Sequence, residues 1–179
     1  MSGRGFEVVT RCQDQGLTLP QRKTRHAAGY DFAAAEDFVV PSIWRLNFVK
    51  IFRKLNNGHE LMATDYRKAE RILRPVLVPT GIKVKMPADE VLLLINRSSS
   101  TLRRFLSLPN GVGVIDADYY NNEDNEGEIY FQLLNFGLRD QKIRKGERLG
   151  QGIFVHYLTV DDDVNEGPER HGGFGSSGR

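Results

Sequence analysis

Apolar residues recur at every second position through much of this chain, and between Ser42 and about Arg74 the spacing lengthens to that of a helix. Ile82, Val84 and Met86 alternate with Lys83 and Lys85, a half-buried strand bounded by Pro79-Thr80-Gly81 and by Pro87. Val91 to Ile95 is a continuous apolar run and reads as a strand buried on both faces. Phe6, Val8 and Thr10, and then Phe38-Val39-Val40 before Pro41, mark strands joined by polar loops in residues 5–41. Val112 to Ile115, Ile129 to Leu134 and Ile153 to Tyr157 predict more strands, with a polar turn region at Asn121 to Gly127 and a glycine turn at Arg144-Lys145-Gly146-Glu147. In the helical stretch Trp44, Phe48, Ile51, Phe52 and Leu55 share one face, with Ser42 as N-cap and Asn56-Asn57-Gly58 as stop. A second helix is expected from Thr64, carrying Ala69, Ile72 and Leu73 inward and ending before Pro75. The chain is therefore expected to be mainly β, with one helical excursion.

A length of 179 residues suits one domain over 1–179, large enough to bury a core without disulfides or a structural metal. Cys12 is the sole cysteine, which excludes an intramolecular disulfide and suits a cytoplasmic protein. No apolar run approaches the ~20 residues of a spanning helix, so no membrane association is expected. A formal net charge of +2 gives no ground for direct nucleic-acid binding. Residues 161–179 turn acidic and then glycine-rich, and a flexible C-terminal tail is expected there.

Four polar segments carry candidate chemistry. In Asn110-Gly-Val-Gly-Val-Ile-Asp-Ala-Asp-Tyr119, Gly111 and Gly113 permit sharp turns or close approach, and Asp116 follows an apolar strand, where a general base is useful. In Asn96-Arg97-Ser98-Ser99-Ser100, hydroxyls, backbone N–H groups and a cation suit phosphate oxygens. In Gly146-Glu-Arg-Leu-Gly-Gln-Gly152, Gln151 is a donor for a phosphate or a water. Arg170-His-Gly-Gly-Phe-Gly-Ser-Ser-Gly178 joins a cation, an aromatic ring, two hydroxyls and open backbone donors, a pattern suited to closing over a polyanion that bears a flat ring. Taken singly, each segment also fits an ordinary turn, loop or terminus.

Together they resemble the trimeric dUTPase family, whose five motifs appear in order. Ala28-Gly29-Tyr30-Asp31-Phe32 is similar to the first, Arg97-Ser98-Ser99 to the second and Gly113-Val-Ile-Asp-Ala-Asp-Tyr119 to the third. Gly146-Glu-Arg-Leu-Gly-Gln151 is similar to the fourth and Gly172-Gly-Phe-Gly-Ser-Ser-Gly178 to the fifth. The run Val112 to Asn122 is most similar to dUTPases of low-GC Gram-positive bacteria and their phages. The resemblance spans nearly the whole chain except Ser42 to Arg74. It departs in the tail, where one residue, His171, separates Arg170 from Gly172 and the family usually has two.

The resemblance implies a β-clip or distorted, jelly-roll-like barrel, assembled as a homotrimer whose sites are shared between subunits. It implies hydrolysis of dUTP to dUMP and pyrophosphate with magnesium. Asp116 would activate a water for attack on the α-phosphorus. Ser98, Gln151, Arg170 and Ser176 would hold the charge of the departing pyrophosphate, and Arg97, Ser99, Gly175 and Ser177 would also bind the substrate. Asn110 and the backbone of Gly113, Val114 and Ile115 would read uracil, Tyr119 would pack under the deoxyribose, and Phe174 would stack on the base. Asp31 would touch the hydration shell of a magnesium ion held by the triphosphate. The helical insertion at 42–74 is rich in Arg and Lys, and its apolar stripe is expected to pack on the barrel. Two alternatives remain: a dCTP deaminase on the same fold, and a regulatory protein that binds a partner through the basic insertion. Against the first, Gln132 stands where that family has a catalytic glutamate, and a neutral amide cannot shuttle a proton.

Overall fold

The computed structural model describes residues 3–44, 46–58 and 60–163, without the side chains of residues 46–48, 68, 69 and 72. Its strands are β1 (Gly5–Val8), β2 (Tyr30–Ala33), β3 (Phe38–Val40), β4 (Val76–Pro79), β5 (Ile82–Lys85), β6 (Glu90–Asn96), β7 (Leu106–Ser107), β8 (Gly113–Asp116), β9 (Tyr130–Asn135), β10 (Gln141–Ile143) and β11 (Arg148–His156). Its α-helices are α1 (Leu46–Asn56), α2 (Ala63–Leu73) and α3 (Ser98–Arg104). The strands pair antiparallel as β1-β5, β3-β10, β4-β9-β7 and β2-β11-β6-β8. No described helix is long and apolar enough to cross a membrane.

The period-two segments form strands because alternate side chains reach one core. Ile82 and Val84 of β5 are buried while Lys83 and Lys85 face outward, and β9 alternates along its whole length. Phe32, Phe131, Leu92, Leu94 and Ile143 pack in that core, with the Phe32 and Phe131 rings 5.8 Å apart. The turn at Gly146 has a φ of 78°, as its glycine anticipates. Thr10 does not continue β1; it opens a 3-10 turn over Thr10–Gln15 that buries Cys12.

Three expectations about β6, α3 and β11 need correction. Val91 to Ile95 is not buried on both faces: Leu92 and Leu94 are enclosed, but Leu93 and Ile95 remain partly exposed. Leu93 lies between Val114 of β8 and Ile153 of β11, so an apolar row crosses the outer face of this sheet, and Val114 is 58% exposed. The serines after β6 form the first turn of α3 rather than a loop. They follow Arg97 in an extended conformation, and the helix ends at Phe105, left-handed with φ 56°. Lastly, the strand expected over Ile153 to Tyr157 starts earlier: β11 runs Arg148–His156, so Gln151 lies on it.

The 42–74 segment is a helical pair, as its period predicts, but it is anchored differently. Ser42 is no N-cap: its buried hydroxyl donates to the Gly137 carbonyl at 2.6 Å and accepts from Trp44 N. Trp44 precedes α1 and donates its indole N–H to the Phe136 carbonyl at 3.0 Å. Asp65 accepts from Met62 N at the start of α2 and pairs with Lys54 of α1. Of the stripe, Phe52 and Leu55 stay exposed, Phe52 by 63%, while Ile51 is half-buried; Leu73 of α2 is exposed too. The side chains of Phe48, Ala69 and Ile72 lie outside the described residues.

Gly150 shows how closely β11 is seated. A Cβ there would collide with the Phe131 ring and stand 2.8 Å from the Ile95 carbonyl oxygen. Gly150→Ala is expected to destabilise the protein by about 1–3 kcal/mol through overpacking, read as a lower Tm by calorimetry. A variant melting with the wild type would show that the Phe131 ring yields freely.

Candidate active site

The outer face of the β2-β11-β6-β8 sheet carries polar groups at two ends. At one end Gln151 of β11 sits opposite Asp31 of β2 and Ile95 of β6. Its side-chain amide donates to Asp31 Oδ1 at 3.0 Å, and Arg148 Nη1 donates to Asp31 Oδ2 at 2.9 Å. Arg97, just past the end of β6, holds its Nε 3.6 Å from Asp31 Oδ1. Asp31 is 8% exposed. Burial alone pushes its pKa up, but hydrogen bonds from Arg148 and Gln151 and the charges of Arg97 and Arg148 outweigh it and hold the carboxyl below the usual range. Ser98 and Ser99 follow Arg97 in the first turn of α3, so three separated segments (Asp31, Arg97-Ser98-Ser99, Gln151) meet at this end. A groove of about 480 Å³ opens beside Asp31 and Arg148, with Gln21 and Lys23 on its wall.

The other end belongs to β8. Asn110 is exposed in a tight turn, with Gly111 N donating to Leu108 O and Val112 N to Asn110 O. Gly113 lies opposite Leu94, Ile115 packs toward the core and Val114 faces out. Asp116, half-buried at the strand end, lies opposite Val91. Tyr119 is 6% exposed, its hydroxyl donating to the Glu128 carbonyl at 3.0 Å and accepting from Asn125 Nδ2 at 2.8 Å, so its ring is fixed in place. From Val91 to Arg97 the chain advances six residues of a strand, roughly 20 Å at ~3.3 Å each. Within one chain Asp116 therefore does not meet Arg97 or Gln151. Arg170, Phe174, Gly175, Ser176 and Ser177 lie outside the described residues.

Sequence reasoning passed over Arg148. It stands three residues before Gln151, and on a regular strand that spacing places two side chains on opposite faces. As for a metal, both oxygens of Asp31 are already engaged by Arg148 and Gln151. The donor set fits a hydrated ion carried by a polyphosphate better than one ligated by Asp31 itself. Among the described residues, one trio of side chains has metal-ligand spacing, Asp89, Glu90 and His156, and it lies at the far end of β6.

A family model described as dUTPase matches residues 47–178. The deoxyuridine 5'-triphosphate nucleotidohydrolase of Lactococcus lactis subsp. lactis is 42% identical over 179 residues, covering 99% of each chain. The match therefore runs through the helical insertion. The crystal structure of dUTPase from Streptococcus mutans superposes with a TM-score of 0.68 at 38% identity, over 88% of this chain and 98% of that one. The dUTPase of phage phi11 of S. aureus has a TM-score of 0.62 at 17% identity, over 93% and 98% of the two chains, and shares the fold.

The Asp31 cluster has a pH signature. A depressed carboxyl pKa contributes stability that is complete above the unfolded value, about 3.9, and is lost as pH falls through the folded one. The Tm of the wild type is therefore expected to exceed that of Asp31→Asn at pH 6, with the gap closing on acidification below about pH 4. Scanning fluorimetry across that range checks it, and a gap constant with pH would place the stabilisation elsewhere.

Proposed function

The chain belongs to the dUTPase family and hydrolyses dUTP to dUMP and pyrophosphate, and from that premise we propose that it does so at sites shared between the subunits of a homotrimer. The observation that carries this reading is the separation of Asp116 from the Arg97–Gln151 end within one chain. A second copy brings the two ends together. The uncovered row Val114, Leu93 and Ile153 between them gives copies an apolar face to bury.

In this reading Asp116 orients a water and takes its proton as the oxygen attacks the α-phosphorus. The bond from that phosphorus to the β-bridging oxygen breaks, and pyrophosphate departs. Arg97, Ser98 and Ser99 hold phosphate oxygens, and so does the second amide N–H of Gln151, the first being committed to Asp31. Arg170, Gly175, Ser176 and Ser177 add donors from the tail, and Phe174 stacks on the base. Magnesium, when bound, would neutralise charge on the triphosphate, and Asp31 is the residue that would hold its hydration shell. β8 is the last strand of its sheet among the described residues, so the backbone edge of Gly113 to Ile115 away from β6 is free to read a flat base, together with the Asn110 amide. Cytosine presents the wrong donor pattern and leaves buried groups unpaired. In this reading the Tyr119 ring, held by the bonds of its hydroxyl, packs under the deoxyribose and excludes a 2′-hydroxyl.

The test is pyrophosphate release from dUTP, dCTP, dTTP and UTP side by side, for the wild type and Asp116→Asn. The wild type is expected to favour dUTP strongly. Asp116→Asn is expected to lose roughly 10²–10⁴ in turnover while binding α,β-imido-dUTP nearly as well. Turnover within tenfold of wild type would remove Asp116 from the chemistry, and ammonia release from dCTP would move the chain to the deaminases.

A further inference from the structure

We propose that Arg148 is a positioning residue of this site: it occupies Asp31 so that Arg97 and Gln151 remain available to the triphosphate. The inference rests on the dUTP-hydrolysing reading above and goes beyond it, since Arg148 had no part there.

The geometry starts with a fault in the strand ladder. Against β2, Gln151 lies opposite Asp31 and Gly150 opposite Phe32, yet Arg148 lies opposite Ala33. One residue too many separates Arg148 from Gly150, which is a β-bulge, a feature that re-aims side chains. Without it, Arg148 and Gln151 would point to opposite faces. With it they converge on one carboxylate, Arg148 on Oδ2 and Gln151 on Oδ1. The bulged Leu149 is 3% exposed, and its carbonyl accepts from the buried Ser100 hydroxyl at 3.4 Å. That bond ties the bulge to α3, whose first turn carries Ser98 and Ser99.

Charge gives the arrangement its use. Asp31 is buried and ionised, and it faces two guanidinium groups: Arg148 at hydrogen-bond distance and Arg97 at 3.6 Å. A buried carboxylate stripped of a partner recruits the nearest cation. Removal of Arg148 therefore draws Arg97 onto Asp31 and away from phosphate. Arg148 also borders the groove that holds Lys23, which offers a competing role, direct contact with substrate.

Four variants separate these roles: Arg148→Met, which keeps the bulk of the stem; Arg148→Lys, which keeps the charge; Asp31→Asn; and Arg148→Met with Asp31→Asn. Each full-length protein is compared by Tm and oligomer size, by kcat and KM for dUTP, and by Kd for α,β-imido-dUTP. Arg148→Met is expected to weaken analogue binding and lower kcat/KM by about 10–100-fold, the scale of a small misplacement of contact groups, with the oligomer intact. Arg148→Lys is expected to recover part of the loss. In the Asp31→Asn background the Arg148→Met change is expected to cost less than about twofold, because both act through one carboxylate. An equal loss in both backgrounds would overturn the proposal in favour of direct substrate contact. So would an Arg148→Met enzyme within twofold of wild type, or a loss tracked entirely by oligomer dissociation. Failure of the wild type itself to bind the analogue or release pyrophosphate would instead strike the underlying functional reading.

Discussion

The pairing of β11 with β6 sets the position of everything else. It runs without interruption from Gly150 opposite Asn96 to His156 opposite Glu90. β2 joins the near part of β11, and β8 joins the far part of β6, so the sheet is a staggered strip rather than a square. Asp31 and Arg97 are fixed at one end of that strip and Asp116 toward the other. The close seating of Gly150 against Phe131 locks the ladder to the core, so a slip of one residue is sterically blocked as well as unfavourable for the hydrophobic pattern.

Buried polar groups hold the irregular connections that strands alone leave loose. Glu128 is 2% exposed, ion-paired with Arg11, and accepts from Gly81 N at 2.9 Å and from the Tyr130 hydroxyl at 2.8 Å. Burial, followed by the bond to Glu128, pushes the Tyr130 hydroxyl up to about 12. The Glu128 carbonyl also receives Tyr119, so the ring assigned to the sugar is secured through this node. Asn135, fully buried, donates to the Val40 and Arg139 carbonyls and accepts from Gly137 N. The same loop receives Ser42 and Trp44, which means the helical insertion is moored by polar hooks to a fixed point of the body. Breaking either node leaves buried groups unpaired, which costs more than the bonds themselves contribute.

What was legible in the sequence follows from which physical signal each element carries. β5 shows clean alternation in its sequence because one face meets the core, whereas β9 alternates only in burial and reads in sequence as an apolar stretch. α1 and α2 show a helical stripe whatever that stripe packs against. α3 carries no such signal: Ser98-Ser99-Ser100-Thr101 has no apolar period, and serine favours loops and helix starts alike. The start of β11 hid behind Gly146, Gly150 and Gly152, since glycine marks turns in a sequence, but Gly150 and Gly152 here clear space for the Phe131 and Phe32 rings. Asp31, Arg97 and Gln151 were named from their motifs, and the structure brings them together, with Ser98 next to Arg97 in the chain. The bulge that adds Arg148 was invisible, because a single extra residue in a ladder exists only relative to the partner strand.

The separation of Asp116 from Arg97 and the apolar row between them are two aspects of one design. Asp116 and Gln151 share the outer face of the sheet, and Val114, Leu93 and Ile153 lie between these polar ends. A face with that order is a poor surface for a lone chain: its middle is apolar and its polar ends are too far apart to act on one ligand. In the proposed homotrimer, a second copy over the middle would remove the exposed apolar area and set the polar end of one chain beside the opposite end of another. In that proposal the burial that stabilises association also completes the chemistry. The cost of desolvating Asp31 and its cations is met within each chain before assembly, since Arg148 and Gln151 already satisfy the carboxylate. A subunit can then present a charged site at an interface without carrying an unpaired buried charge into it.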